Sequence, residues 1–426
     1  MPNIRTLPPS AKTGPAAFAL AARTGRLADS AIGAVLRLSD APDLIALAAG
    51  SPAPETFCAE AVAGIAARLL AGPGTLQYGD TSGLWELREW VAQEHGALTG
   101  QPVAPDRTVL THGSQQALDL VCKALLDPGD TVVVDRPSYV GALQVFELFQ
   151  AAVTPVPLAA DSGLDEFAAG LDAGLRPKLV YVVPNFANPT GLSLSARQRR
   201  RLADLAEQFD FVIIEDDPYG PLYHDPDYES PPPVAALSER VVRLGSFSKV
   251  LFPAARLGHA TAPAPLAVVM NKLKQAADLG NSTFLERIVH ELVRTPSFLQ
   301  NQLAGARTLY RERRDALAAS LGGALAGRIE FGLPDGGFFL WAGLLGEEHP
   351  GAEGGPTCGA TTLLGAALDE KVSFVPGGAF YAADPDDSRL RLSFSCATVD
   401  QLSAAGPRLA RALDRAQDRA VDQGRL

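Results

Sequence analysis

Residues 178–220 have the sequence KLVYVVPNFANPTGLSLSARQRRRLADLAEQFDFVIIEDDPYG, and their pattern of apolar residues predicts the fold class. The segment opens on one continuous apolar run, KLVYVVP, and closes on a second, FVIIED, each of a length typical of a buried strand. Between them, SARQRRRLADLAEQF carries apolar residues at helical spacing. Strand, helix and strand in this order predict two parallel strands joined by a helix that covers one face of the sheet.

The same alternation extends on both sides, from about Thr108 to Pro263. The further strand-like and helix-like stretches are RTVLT (107–111), SQQALDLVCKALL (114–126), TVVVD (131–135), YVGALQVFELF (139–149) and VVRLGS (241–246). The series predicts an α/β domain with a mostly parallel central sheet buried on both faces.

The remainder of the chain has a different pattern. Residues 265–321 contain few helix breakers and predict helices, including a long one through 301–321. The strand-like pieces that follow, before a terminal helix at about 399–417, lie at 328–344, 371–380 and 388–396. They predict a smaller α+β domain, and the composition of residues 346–359 indicates a mobile loop.

Composition and charge exclude several classes of protein. The 426 residues are 47% hydrophobic and carry a formal net charge of −11, with acids and bases mixed along the chain. Such a surface repels polyphosphate, so we expect no nucleic acid partner. The apolar runs are short and interrupted, and the first residues are polar and rich in proline, so we expect no membrane span and a cytoplasmic location. The four cysteines stand alone, which argues against disulfides and against a metal site.

The candidate functional residues follow the predicted strands, because ligands of such sheets bind at the carboxyl ends of the strands. These strand ends are HGSQ (112–115), RPSY (136–139), PNFANPTG (184–191), EDDPY (215–219) and GSFSK (245–249). Each of them supplies a different kind of chemical group.

Taken singly, each group has an ordinary interpretation as well as a functional one. Ser114 and Gln115 begin a helix whose free N–H groups can bind a phosphate, although Ser114 alone would be read as a helix cap. Tyr139 could stack on a flat ligand or belong to the core. Asp216 ends a buried strand, where an ionised carboxylate needs a cationic partner, which could be a structural ion pair or a ligand. Lys249 could be a solvated lysine or a desolvated amine able to form a Schiff base.

Taken together, these groups describe one ligand. A phosphate cradle, a stacking ring, a buried carboxylate and an amine at neighbouring strand ends fit pyridoxal 5'-phosphate, whose ring nitrogen pairs with a carboxylate. On this interpretation Lys249 bonds the aldehyde carbon, and Ser246, Ser248 and Arg256 are available for the phosphate.

The chain also closely resembles the fold-type I pyridoxal phosphate-dependent enzymes of the class I/II aminotransferases, in particular the 2-aminoadipate aminotransferases and the related effector domains of MocR regulators. The resemblance runs from about Leu27 to Arg415 and rests on ten ordered blocks. These are IALAAGSPAPETF (45–57), QYGDTSGLWELRE (77–89), THGSQQALDLV (111–121), RPSYVGAL (136–143), PNFANPTG (184–191), EDDPYG (215–220), GSFSKVLFPAARLG (245–258), PDGGFFLW (334–341), VPGGAFY (375–381) and RLRLSFS (389–395).

The resemblance implies a role for each matching residue. Lys249 would be the Schiff-base lysine and Asp216 the partner of the ring nitrogen. Tyr219 and Asn188 would bind the phenolic oxygen of the ring, and Tyr139 would stack on it. The phosphate would be held by the Ser114 and Gln115 amides, Ser246, Arg256 and, from a neighbouring subunit, Tyr78. Arg391 would bind the substrate α-carboxylate, with Asn188 and the backbone near Gly50 beside it.

The resemblance further implies a homodimer with two shared active sites, built from an N-terminal arm and part of the small domain (1–58), a large cofactor-binding domain (59–284) and a connecting helix with the small C-terminal domain (285–426). The substrates would be an amino acid and a 2-oxo acid, exchanged in a two-stage, ping-pong reaction.

The pocket for the substrate side chain would involve residues 18–36, the loop near Gly50 and parts of 275–285. Related sequences often carry a basic residue where this chain has Gly33, which speaks against an acidic substrate side chain unless Arg23, Arg26 or Arg37 replaces that residue.

Two alternatives remain open at this point. The same cofactor site could support decarboxylation, elimination or oxidation, because the residues that hold the cofactor are shared among these reactions. A non-enzymatic regulator domain is the other alternative. Such regulators carry a winged helix and linker of roughly a hundred residues ahead of this region, whereas here the resemblance begins near Leu27.

Overall fold

The computed structural model describes residues 20–26, 43–346 and 358–422. Thirteen strands occur in this part of the chain: β1 (Ile45–Ala46), β2 (Thr108–Thr111), β3 (Thr131–Asp135), β4 (Ala152–Val156), β5 (Leu179–Val182), β6 (Val212–Asp216), β7 (Val241–Ser246), β8 (Gly258–Thr261), β9 (Ile329–Phe331), β10 (Phe339–Leu344), β11 (Val372–Ser373), β12 (Val375–Pro376) and β13 (Arg389–Ser393). The α-helices are α1 (Ala59–Leu70), α2 (Trp85–Thr99), α3 (Gly113–Leu125), α4 (Val140–Leu148), α5 (Gly163–Asp172), α6 (Ala196–Phe209), α7 (Ala264–Asp278), α8 (Thr283–Arg294), α9 (Phe298–Ala324), α10 (Ala360–Asp369) and α11 (Val399–Asp422).

Seven strands form the central sheet, in the order β2-β8-β7-β6-β5-β3-β4. Strands β4, β3, β5, β6 and β7 pair in parallel, whereas β8 lies antiparallel between β7 and β2. The prediction of an α/β fold with a mostly parallel central sheet is therefore confirmed.

Helices cover both faces of this sheet because its inner strands are apolar on both sides. Apolar side chains of α3, α4 and α7 pack on one face, and those of α5 and α6 pack on the other. Because β3, β5, β6 and β7 are parallel, their carboxyl ends lie at one edge of the sheet. The end of β2 lies there too, since β2 and β7 are both antiparallel to β8. All five predicted strand ends thus lie on the same side of the molecule.

Two strands of the sheet lack the apolar run from which the other strands were predicted. Strand β4 contains Pro155, which a central strand would not tolerate, and β4 occupies the sheet edge, where a missing donor costs little. Strand β8 has the sequence GHAT, without an apolar run. A Cβ on Gly258 would come within 2.7 Å of the Ser114 amide nitrogen, so close packing accounts for this glycine.

A second group of strands lies toward the C-terminus. Strands β12, β13, β10 and β9 form an antiparallel sheet, and β1 pairs in parallel with β11. Helix α9 extends over 27 residues and packs against α11. Because β1 pairs with β11, the chain near Ile45 joins the C-terminal part of the structure.

Part of the predicted loop, residues 347–357, lies outside the described residues. Across the described ranges, no helix combines the length and the apolar character needed to cross a membrane. The four cysteines carry free thiols.

Candidate active site

A cavity of about 420 Å³ opens at the carboxyl ends of the central strands. Every candidate residue except Tyr78 lines it. These residues are Gly50, Ser114, Gln115, Tyr139, Asn188, Asp216, Tyr219, Ser246, Ser248, Lys249, Arg256 and Arg391. The structure therefore brings together groups from five strand ends, the loop after β1 and strand β13.

One wall of the cavity is suited to an anion. Helix α3 begins at Gly113, so the N–H groups of its first turn have no carbonyl partner within the helix and its positive end faces the cavity. Gly113 has φ +73°, and a Cβ there would lie 3.2 Å from Arg256 Nη2. The missing side chain thus lets the Arg256 guanidinium lie close to the helix start. Arg256 Nη2 also donates to the His112 carbonyl oxygen at 3.4 Å.

The turn after β7 supplies hydroxyls beside this wall. Ser246 Oγ accepts the Ser248 N–H at 3.2 Å, which fixes the turn that carries Lys249. Gln115 is held from the other side, since its Nε2 donates to the Gly141 carbonyl oxygen at 2.9 Å. Backbone amides, hydroxyls and a guanidinium are the donor set that binds a phosphate.

The Asp216 carboxyl at the end of β6 is buried, with 4% of the residue exposed. Its Oδ2 accepts the Tyr181 hydroxyl at 2.9 Å, whereas its buried Oδ1 has no hydrogen-bond partner in the part of the chain that the structure describes. Burial raises the pKa of Asp216 to about 7, and the Tyr181 and Ser114 hydroxyls oppose this shift while the charge of Asp217 adds to it. A buried oxygen without a partner, in a carboxyl that lines a cavity, is suited to bind a ligand N–H.

Lys249 follows β7 and lies partly buried in the wall of the cavity. Its Nζ donates to the Gly50 carbonyl oxygen at 3.0 Å. Burial, reinforced by the charges of Arg256 and Arg391, lowers the pKa of the Lys249 amine to about 8. The amine is therefore far more available as a nucleophile or base at neutral pH than a solvated lysine is.

Arg391, on β13, is 2% exposed. Its Nη1 donates to Asn188 Oδ1 at 2.9 Å and its Nη2 donates to the Ala48 carbonyl oxygen at 2.6 Å. Its guanidinium carbon lies 4.5 Å from the centre of the Phe339 ring, which orients the planar group. Burial lowers the pKa of Arg391 to about 10, and these two hydrogen bonds are to neutral oxygens. A buried cation without a carboxylate partner is suited to bind a carboxylate ligand.

Two tyrosine rings complete the cavity. Tyr219 is 5% exposed and packs edge-on against Phe338 and Phe339, and burial raises the pKa of its hydroxyl. Tyr139 precedes α4, and a Cβ on Gly141 would come within 2.6 Å of the Tyr139 ring. Gly141 therefore leaves room for the ring to lie over the start of the helix.

Tyr78 is the exception among the candidate residues. It is 89% exposed and does not line the cavity of its own chain. Any contact between Tyr78 and a ligand of this site would have to be made by a second copy of the chain.

The structure adds residues that the sequence did not single out. Tyr181, Gln144 and Ser51 also line the cavity. Tyr181 offered the clearest signal, because a tyrosine inside the buried strand LVYV needs a partner for its hydroxyl. In the region proposed for the substrate side chain, residues 18–19 and 27–36, which include Gly33, and also Arg37, lie outside the described residues. Arg23 and Arg26 are described and do not line the cavity.

The donor set of the cavity fits pyridoxal phosphate. The helix start with Arg256 suits the phosphate, the unpartnered Asp216 Oδ1 suits the protonated ring nitrogen, and Lys249 offers an amine for the aldehyde. The fit rests on groups from separate parts of the chain that share one cavity.

Comparison with known proteins agrees with this chemistry. The family model "Aminotransferase class I and II" matches residues 42–407. The aromatic-amino-acid aminotransferase 1 of Thermococcus litoralis is 34% identical, over 89% of this chain and 90% of the relative. The 2-aminoadipate transaminase of Thermus thermophilus is 36% identical, over 91% of this chain and 95% of the relative.

A solved structure extends the similarity to three dimensions. The crystal structure of the alpha-aminoadipate aminotransferase of Thermus thermophilus, complexed with N-(5'-phosphopyridoxyl)-L-leucine, superposes with a TM-score of 0.83 at 34% identity, covering 94% of this chain and 98% of that one. The chain belongs to the class I and II aminotransferases, and it is an enzyme of that family with pyridoxal phosphate as its cofactor.

Proposed function

We propose that the cavity residues transfer an amino group between an L-amino acid and a 2-oxo acid in the roles that the sequence predicts for them. The observation that carries this proposal is that a partly buried amine of lowered pKa, Lys249, shares one cavity with a buried guanidinium, Arg391, that has no carboxylate partner among the described residues. The cation can hold the α-carboxylate of a substrate while the amine acts on its Cα proton.

Each group then has one task. When bound, pyridoxal phosphate supplies an aldehyde that takes up the amino group and a ring that draws electrons from the substrate Cα. Lys249 Nζ would accept the proton from the substrate Cα and return it to the former aldehyde carbon, on the other side of the nitrogen. Asp216 keeps a proton on the ring nitrogen, and the first turn of α3 with Arg256 holds the phosphate. Tyr219 and Asn188 bind the phenolic oxygen, and Tyr139 covers the ring face.

The reaction type is tested with purified holoenzyme, an amino acid donor and a 2-oxo acid acceptor. We expect one equivalent of new amino acid for each equivalent of donor consumed. Release of ammonia, carbon dioxide or peroxide in place of the new amino acid would favour a lyase, decarboxylase or oxidase.

The pH dependence of cofactor incorporation reports on Lys249. Since the pKa of its amine is about 8, the rate at which pyridoxal phosphate enters the apoprotein should fall about tenfold for each pH unit below that value and level off above it. The measurement is stopped-flow absorbance, with a free lysine derivative as the control for titration of the cofactor itself. A rate that continues to rise through about pH 10, as for a solvated lysine, would contradict the prediction.

Replacing Arg391 with Lys should raise KM for the amino acid and lower kcat/KM by about 100-fold, because a point charge cannot reproduce the two-pronged contact with a carboxylate. Steady-state kinetics checks this, and the spectrum of the bound cofactor should stay unchanged. The matched control is Arg389→Lys on the same strand, since Arg389 pairs with Glu330 and Asp386 outside the cavity. A loss of equal size in the control would argue against the assignment.

For the substrate side chain we propose aromatic donors, as in the name of the Thermococcus litoralis relative, ahead of 2-aminoadipate. The cations that line the described part of the cavity are Lys249, Arg256 and Arg391, and each already has a task. Gly33 stands where related sequences often carry a basic residue, which supports the same choice. A donor screen that gave 2-aminoadipate the higher kcat/KM would contradict it.

We further propose a homodimer in which Tyr78 reaches the partner's cofactor. Three exposed apolar side chains support a covered surface: Leu76 (81% exposed), Tyr78 (89%) and Leu279 (61%). Their segments touch, because Thr81 Oγ1 donates to the Leu279 carbonyl oxygen at 2.9 Å. A second copy of this chain is the proposed occupant, since Tyr78 would then gain a ligand to contact.

Subunit mixing tests this arrangement directly. Lys249→Ala and Tyr78→Ala proteins should each be impaired, and dimers formed after joint unfolding and refolding should regain about a quarter of wild-type activity, because half of them carry one intact site. The control is each variant refolded alone. An active wild-type monomer in sedimentation, or no recovery on mixing, would contradict the shared site.

We also propose the division into residues 1–58, 59–284 and 285–426 and a cytoplasmic location. Pairing of β1 with β11 supports the first division, and the free thiols are compatible with the location. The boundary between 284 and 285 falls within the first turn of α8 (Thr283–Arg294).

A further inference from the structure

Tyr181 occupies an unusual place for a polar side chain. It lies in the middle of β5, is 0% exposed, and packs edge-on against Phe146 at 5.8 Å between ring centres. Its hydroxyl lies 2.9 Å from Asp216 Oδ2. Burial, together with the nearby Asp216 charge, raises the pKa of Tyr181 well above its usual value. The hydroxyl therefore stays protonated and acts as a permanent donor to this carboxyl.

The neighbouring charged groups do not replace this donor. Asp217 is adjacent in sequence, but its oxygens are used by other partners: Arg243 Nη2 at 2.9 Å, Asn185 Nδ2 at 3.0 Å and the Gly220 N–H at 2.9 Å. Arg243 is therefore committed to Asp217. The Ser114 hydroxyl is near enough to oppose the rise in the pKa of Asp216. Among the described residues, however, only Tyr181 makes a hydrogen bond of good geometry to this carboxyl, on Oδ2, and the buried Oδ1 has no partner.

We propose that Tyr181 is a positioning residue that holds Asp216 by Oδ2, directs Oδ1 to the ring nitrogen of the cofactor, and keeps the shared proton on that nitrogen. The proposal rests on the role of Asp216 stated above, and it goes further by assigning the two carboxylate oxygens separately. Tyr181 itself need not touch the cofactor.

The physical reason lies in the competition for one proton between the carboxylate and the ring nitrogen. A donor to Oδ2 stabilises the ionised carboxylate and makes it a weaker base. Without that donor, the buried carboxylate would compete better for the proton, since burial already favours its neutral form. The ring would then lose part of the positive charge by which it draws electrons from the substrate.

The test is nuclear magnetic resonance of the holoenzyme loaded with cofactor whose ring nitrogen is isotopically labelled, because its chemical shift reports protonation independently of activity. Spectra are taken at a pH where the wild-type nitrogen is partly protonated. In Tyr181→Phe the ratio of protonated to unprotonated nitrogen should fall by about tenfold, the effect expected from one hydrogen bond to a charged group. Asp216→Asn provides the reference for a nitrogen without the carboxylate.

The matched control is Tyr310→Phe, which removes a buried hydroxyl that accepts the Ala53 N–H and lies outside the cavity. It should leave the nitrogen signal unchanged. A wild-type ratio in Tyr181→Phe would overturn the proposal.

A second variant covers the case in which Tyr181→Phe does not fold or does not retain the cofactor. Fluorotyrosine at position 181 keeps the shape and donates more strongly, so the ratio should rise; no change, or a fall, would overturn the proposal. If the proposed function is wrong, the wild-type protein will show no transamination. If only this inference is wrong, the wild type will be active, and the ratio of protonated to unprotonated ring nitrogen will not depend on the residue at position 181.

Discussion

Replacing Lys249 with Ala should lower the rate of transamination by about 10⁴-fold or more, because the same amine bonds the cofactor and moves the Cα proton. Arg391, whose guanidinium has a pKa of about 10, stays protonated near neutrality and so cannot take over as the base. The measurement is kcat with a saturating donor, alongside the loss of the covalent cofactor spectrum.

The control for this variant is Lys123→Ala, because Lys123 lies on α3 and pairs with Asp119 at the surface. Its activity should match the wild type. Added small primary amines should restore part of the Lys249→Ala activity, since they can enter the space left by the side chain. Turnover at the wild-type rate without added amine would remove Lys249 from the mechanism.

Replacing Asp216 with Asn should have the second largest effect and should act in opposite directions on activity and stability. Activity should fall by about 10³-fold, because an amide cannot stabilise the positive charge on the ring nitrogen. The apoprotein should become more stable at about pH 8, because Asn removes a buried carboxylate that burial penalises.

The sign of the stability effect follows from the pKa of Asp216, which is about 7 in the folded protein and 3.8 for the ordinary side chain. Below about pH 4 the Asp216 carboxyl is neutral in both the folded and the unfolded protein, so its burial does not lower the free energy of unfolding. As the pH rises, ionisation is favoured in the unfolded protein, and the loss of stability is complete above about pH 7. The stabilisation by Asn should therefore reach about 4 kcal/mol at pH 8 and be less than half of that at pH 5.

Denaturant titrations of the apoprotein at the two pH values check this prediction. Asp217→Asn is the contrasting control: Asp217 pairs with Arg243 at 2.9 Å, so its neutralisation should destabilise the protein. If Asp216→Asn also destabilised the apoprotein at pH 8, the buried carboxylate would not carry the penalty assigned to it.

Much of the architecture could be read from local patterns. The period of apolar residues predicted β5, α6 and β6 within 178–220, because a side chain's direction in a strand or helix depends only on its place in the repeat. Strands β4 and β8 were not predicted. The sequence of β4, AVTPV, contains a proline that only an edge strand tolerates, and that of β8, GHAT, has no apolar repeat.

The candidate site was predicted for a comparable reason. Parallel strands bring their carboxyl ends to one edge of a sheet, so the residues that follow the five predicted strands were expected to lie close together. In the structure, residues from all five strand ends line one cavity. The catalytic and binding roles of these residues stay predictions until the variants are measured.

Local patterns in the sequence predicted the α/β class and the strand ends that carry the site, and the motif blocks indicated the family and the cofactor. Tertiary structure alone decided which groups meet and what their surroundings do to them. Tyr181 reaches Asp216 across 35 positions, and Arg391 reaches Asn188 across 203. Burial of Lys249 and Asp216 brings the pKa values of their side chains to about 8 and about 7. The physical reason is that periodicity is a property of neighbouring residues, whereas desolvation and hydrogen bonding depend on every segment that packs around a group.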